Sequence, residues 1–258
     1  MRTLLALVLA VLAVLAPYAA AQAPAIAAAA DLKYALAEIA DAYRRGTGGD
    51  VRIAYGSSGN FTQQIEHGAP FELFLSADEA YVERLAAKGY TRDAGTLYAI
   101  GRVALFVPRG SPLAADPALA DLALAIRDGR VRRFAIANPE HAPYGRAAKQ
   151  ALQEKGLWEA IEPRLVLGEN VSQTAQFAVS GSAQGGIFAL SLARAPAFGN
   201  AGSYVLVPQE LHQPLKQRMV LTRKAGDIAR EFYAYMQQPA ARTVFRKYGF
   251  ALPGEAAD

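Results

Sequence analysis

Hydrophobic and polar positions follow two alternating periods along this chain. Ala25–Ala29 is an unbroken run of small apolar residues, which predicts a strand covered on both faces. Residues 32–45 place Leu32, Leu36, Ile39, Ala40 and Tyr43 on one helical face, and Gly46 with Gly48-Gly49 stops the pattern. Strand 51–55, a helix from Gly56-Ser57-Ser58-Gly59 to Glu66, strand 71–75 and helix 79–88 continue the alternation. Residues 98–107 read as one long apolar strand closed by Pro108. A second set follows, with helices over 122–127, 145–154 and Val171–Val179. Its strands are Phe134–Ala137, 186–190, 204–207 and 218–221, and helices 227–237 and 240–247 close the chain. There is no internal repeat and no long linker. The alternation predicts an α/β protein with largely parallel sheets. Two sets joined near 100–107 and 217–222 predict two lobes with a ligand cleft between them. The expected division is 22–102 for the first part of lobe one, 103–220 for lobe two and 221–258 for the return to lobe one.

Residues 1–21 fall outside this alternation. Arg2 precedes an apolar run over 4–15, Pro17-Tyr18 break it, and Ala19-Ala20-Ala21 offer a small-residue cleavage site. This predicts a cleavable signal peptide and export to the periplasm. The run is short for a membrane span, and no cysteine follows it to carry a lipid.

Composition narrows the function classes. The chain is 52% hydrophobic and 19% charged, with a formal net charge of +4, which excludes intrinsic disorder. With no cysteine, disulfides, thiolate metal sites and cysteine nucleophiles are excluded. The 3 histidines, His67, His141 and His212, are dispersed, which argues against a metal held by protein ligands. Basic residues are scattered rather than striped, so no nucleic-acid partner is expected. Nucleophile-elbow, Walker, dinucleotide-binding and zincin motifs are all missing, so no enzyme activity is expected. Asp78-Glu79 suits a helix start, where the dipole favours acids. The alternative from another class is a secreted α/β hydrolase, whose base would have to be one of the three histidines.

Three strand–turn–helix junctions carry the remaining chemistry: Tyr55-Gly56-Ser57-Ser58-Gly59-Asn60, Asn138-Pro139-Glu140-His141-Ala142-Pro143-Tyr144-Gly145, and Gly168-Glu169-Asn170-Val171-Ser172. A helix N-terminus presents unsatisfied N–H groups and partial positive charge, which suits an anion, and a serine hydroxyl adds a donor. A plain serine N-cap explains the first junction equally well. Tyr144 either donates its hydroxyl into a cleft or packs. Val171 has only its backbone N–H to offer.

These residues resemble a known family. Gly56-Ser57-Ser58-Gly59, Gln64-Ile65-Glu66-His67-Gly68-Ala69-Pro70, Phe74-Leu75-Ser76-Ala77-Asp78-Glu79, the second junction and Arg246-Lys247-Tyr248-Gly249-Phe250 are similar to the periplasmic molybdate-binding proteins of ABC importers, in order and over nearly the whole mature chain. The resemblance implies a two-lobed, type II periplasmic-binding fold. It implies a monomer that closes on molybdate or tungstate without a cofactor and delivers it to a membrane permease. By position it implies an oxyanion held by neutral donors: the Ser58 hydroxyl, the Val171 N–H and Tyr144. Tyr144 takes the place of a family tyrosine whose other position is Ala189 here.

Asp31 departs from the pattern, since the family usually has Ser or Asn there. An ionised carboxylate cannot donate. At ~4 Å from a dianion it would cost roughly 8 kcal/mol at an effective dielectric of ~20. Three readings are open. Asp31 turns away and caps its own helix, or it holds a proton and donates it, or the ligand is itself a protonated oxyanion of phosphate, phosphonate or arsenate type.

Overall fold

The computed structural model describes residues 22–255. The expected signal peptide lies outside them. Strands β1 (Ala25–Ala29), β2 (Arg52–Gly56), β3 (Leu73–Ser76) and β4 (Thr96–Gly101) belong to one sheet, with helices α1 (Lys33–Thr47), α2 (Ser58–Glu66) and α3 (Glu79–Ala87) between them. A 3-10 turn, Ala30–Leu32, joins β1 to α1. Strands β5 (Val103–Pro108), β6 (Phe134–Ala137), β7 (Leu165–Gly168), β8 (Gly186–Ala189) and β9 (Gly202–Leu206) form a second sheet. Its helices are α4 (Ala120–Arg127), α5 (Pro143–Glu154), α6 (Trp158–Ile161), α7 (Val171–Val179) and α8 (Leu190–Ala193). Strand β10 (Leu215–Leu221) and helices α9 (Asp227–Tyr235) and α10 (Pro239–Lys247) complete the chain.

The strand orders are β2-β1-β3-β10-β4 and β7-β6-β8-β5-β9. In each sheet three parallel strands meet an antiparallel fourth, β10 or β5. The sheets are therefore mixed, not largely parallel. Alanines in β1 leave room for helices on both faces, and Ile26 to Ala29 are all buried. The C-terminal helices return to α1, where Phe232 and Tyr235 pack edge-on against Tyr43 at centroid distances of 5.1 and 5.3 Å.

Two expectations about strands change. The single strand over 98–107 is two strands in different sheets, interrupted at Arg102. Both halves are apolar because both are buried, so hydropathy alone does not mark the break. The return to lobe one also comes earlier than residue 221. All of β10 pairs within the first sheet, from Leu215↔Gly101 to Leu221↔Leu73. Strand β7, a four-residue sheet edge, was not anticipated. Among the described residues no helix is long and apolar enough to cross a membrane.

Candidate functional site

Three helix N-termini converge where the lobes meet. Helix α2 from lobe one, and α5 and α7 from lobe two, start around a narrow cavity of about 10 Å³. Asp31, Ser58, Tyr144 and Val171 all line it, and all are buried. Among the described residues its walls include no Lys or Arg. The volume is about what one water requires, too little for a polyatomic solute with the lobes as they stand. Larger clefts run along the seam, one of about 320 Å³. In its lining Arg146 pairs with Asp78 and Lys216 with Glu79, and Glu83 adds a further carboxylate.

Two donors at the cavity are unspent. Ser58 Oγ accepts the Ala77 N–H at 3.0 Å, which leaves its own hydrogen to give. The Asn170 side chain caps α7 by accepting from Ser172 N and Gln173 N. That capping passes over the Val171 N–H, the first of the helix. One donor comes from each lobe.

Asp31 neither turns away nor caps a helix with its side chain. Its Oδ2 accepts from Tyr144 Oη at 3.0 Å and from Gln217 Nε2 at 2.6 Å. Gln217 Nε2 also reaches Tyr144 Oη at 3.1 Å, and Gln217 Oε1 accepts from Tyr98 Oη at 2.8 Å. Tyr144, expected as a direct donor into the cleft, thus places its hydrogen on Asp31. Asp31 Oδ1 is buried with no hydrogen-bond partner. Burial pushes the Asp31 carboxyl up from 3.8 to about 6, against the opposing pull of the Gln217 and Tyr144 hydrogen bonds. The Asp31 and Leu32 backbone N–H groups also pull it down, after Gln217 and Tyr144. The Tyr144 and Tyr98 hydroxyls are driven well above their usual range, first by burial and then by Asp31.

Gln217 was not anticipated as part of the site. Its signal was a polar residue at an inward position of β10, between buried Leu215 and Met219. Gly101 supports the same network, since a Cβ there would lie 2.8 Å from Gln217 Nε2 and press on the Tyr144 hydroxyl.

The lobes are latched beside the cavity. Ser57 is the N-cap of α2 but makes no cap bond with its side chain. Its Oγ lies 2.9 Å from His141 Nδ1 across the seam. His141 O accepts the Gly59 N–H at 2.9 Å, and Asn60 Nδ2 donates to Glu169 Oε1 at 2.5 Å. His141 Nε2 stands 3.6 Å from the same Glu169 oxygen. A serine, a histidine and a carboxylate thus meet, as a hydrolase would need. Here, however, Ser57 is buried and its hydroxyl is engaged by the other lobe, so the arrangement fastens the lobes together. His67 and His212 lie away from the cavity, and no cluster that could hold a metal ion occurs among the described residues.

A two-lobed cavity that offers donors from both sides, next to a latch between the lobes, defines a solute-binding protein rather than an enzyme. The chain belongs to the bacterial extracellular solute-binding protein family, whose model matches residues 25–251. It is 36% identical over 227 residues to the molybdate-binding protein ModA of Rhodobacter capsulatus, covering 87% of this chain and 86% of that one. It is 34% identical over 231 residues to ModA of Azotobacter vinelandii, covering 88% and 89%. The solved periplasmic molybdate-binding protein of Azotobacter vinelandii superposes with a TM-score of 0.81 at 29% identity, over 89% of this chain and 99% of that one.

Two outcomes test the site. The raised Asp31 pKa means the folded protein holds this proton more tightly than the unfolded chain does. Its contribution to stability is full below pH ~4 and is lost as pH rises through about 6, a loss of about 3 kcal/mol. The melting temperature of Asp31→Asn should lack that component, measured against the parent between pH 4.5 and 8; parallel curves would remove it. Gly101→Ala should cost about 1–3 kcal/mol by overpacking Tyr144 and Gln217, read from urea denaturation midpoints.

Proposed function

We propose that this protein is the periplasmic receptor of an ABC importer, binding molybdate and, by the same tetrahedral geometry, tungstate. It acts as a monomer, exported by a signal peptide cleaved after residue 21, and hands the anion to a membrane permease. The observation that carries this reading is the pair of unspent donors, Ser58 Oγ and Val171 N–H, brought from opposite lobes to one cavity without a cation. Neutral donors at helix N-termini stabilise a buried anion while leaving it exchangeable. The relatives named for molybdate support the choice of anion.

Closure follows from the placement of the donors. An anion that touches Ser58 alone favours neither state of the lobes. One that touches Ser58 and Val171 together stabilises the closed state by the difference in contacts. The His141–Ser57 and Gly59–His141 hydrogen bonds then add to closure without touching the solute.

A second reading keeps the fold and changes the anion to a protonated one. The partnerless Asp31 Oδ1 favours it, since a P–OH or As–OH group would need such an acceptor.

Thermal-shift measurements with molybdate, tungstate, sulfate, phosphate and arsenate separate the two. Molybdate and tungstate should raise the melting temperature, because a ligand at ~100 times its Kd adds about 2.7 kcal/mol. A rise with phosphate or arsenate alone would select the second reading. Ser58→Ala should weaken molybdate binding by about 1.5–3 kcal/mol, roughly ten- to hundredfold, by calorimetry. Unchanged affinity would take Ser58 out of the site. His141→Ala should weaken it by about 1 kcal/mol, roughly fivefold, through loss of the latch. An unaltered Kd would make the latch ornamental to binding.

A further inference from the structure

Asp31 poses a problem that the donors around it do not solve. Its two carboxyl oxygens differ. Oδ2 already accepts two hydrogen bonds, from Tyr144 and Gln217. Oδ1 is buried, accepts none, and belongs to a residue in the cavity wall. A buried oxygen without a partner is costly, and more so if it carries charge. The groups facing the carboxyl are neutral: Tyr144 from α5, Tyr98 from β4 and Gln217 from β10. The charged side chains of the surrounding elements, among them Arg52 of β2, Lys33 of α1, Arg146 of α5 and Arg218 of β10, make no hydrogen bond to the carboxyl and do not shift it; Lys33 sits over the Tyr34 ring, Arg146 pairs with Asp78 and Arg218 with Glu79. Helices α7 and α8 bring no titratable side chain, and Ser191 of α8 donates only to the Asp31 carbonyl. No cation offsets the charge of an ionised Asp31.

Resting on the reading of the cavity as an oxyanion site, we propose that Asp31 makes binding proton-coupled: the anion is bound together with one proton, held between Asp31 Oδ1 and an anion oxygen. The ionised carboxylate, one dianion and one proton from solvent become a closed complex with a single new O–H···O hydrogen bond. Placing the proton on Oδ1 gives the partnerless oxygen a donor role and removes its repulsion of the anion. Tyr144 and Gln217 then act as positioning residues. Their hydrogen bonds occupy Oδ2 and leave Oδ1 as the carboxyl oxygen without a partner to offer the solute. Asp31 thereby sets a pH limit on capture: above the range in which the free protein already holds the proton, each unit of pH costs a factor of ten in apparent affinity. The raised pKa of the free carboxyl is consistent with this.

Calorimetric titration of the full mature protein with sodium molybdate from pH 5.5 to 8.5 tests it, repeated in buffers of different ionisation enthalpy. Above pH ~7 the apparent Kd should rise about tenfold per unit, with close to one proton taken up per anion. Asp31→Asn should bind more tightly than the parent at pH 8.5, with a flat Kd and no proton uptake. A pH-independent Kd in the parent, without proton uptake, overturns the proposal while leaving the oxyanion reading intact. The same slope retained in Asp31→Asn also overturns it, because the titrating group would lie elsewhere. Absence of molybdate binding at every pH overturns the molybdate reading, and this proposal with it. Proton uptake by the parent is decisive by itself should Asp31→Asn fail to fold.

Discussion

The hydrogen bonds on Asp31 Oδ2 are the constraint around which the rest of the molecule is arranged. They join the turn after β1, helix α5 of the opposite lobe, and the returning strand β10. A buried carboxylate without a cation is tolerated only if strong neutral donors reach it. Supplying them requires both lobes and the crossover between them to be in place. The network therefore reports lobe closure at the position where a solute would be held.

The same requirement accounts for several local features. Gly101 ends β4 without a side chain because Tyr144 and Gln217 occupy the space above it. Gly59 lies under the His141 carbonyl, where a Cβ would stand 2.7 Å from that oxygen. Prolines flank His141 and stiffen the loop that carries it across the seam. None of these residues needs to touch a solute to matter for binding one. Each limits how closely, and in what register, the lobes meet.

Much of the scaffold was legible in the chain. Ala25–Ala29, Phe134–Ala137 and Val171–Val179 form the elements their periodicity predicted, and α2 ends at Glu66 as expected. Ser58, Val171, Tyr144 and Asp31, nominated from three junctions and one departure, do share one cavity. What could not be read was the partner of each side chain. Tyr144 was seen as a donor to the solute, and its hydrogen goes to Asp31. A plain serine N-cap is one reading of the first junction; Ser57 does stand at the N-cap, but its side chain bonds to His141 instead of capping. Gln217 was passed over because one polar residue in a strand carries no direction until the strand has neighbours.

By itself, then, the sequence determined the alternation of strands and helices, the small residues of β1, the donors at the helix starts and the lack of cysteine chemistry. These depend on residues close together in the chain, where period and turn chemistry act. The tertiary structure decided that residues 98–107 split between two sheets, that β10 returns to the first, and that Asp31, Tyr144 and Gln217 meet. The physical reason is separation along the chain. Asp31 lies 113 residues from Tyr144 and 186 from Gln217; the bond to Gln217 exists only once β10 has joined the first sheet, and the bond to Tyr144 only once the two lobes have closed.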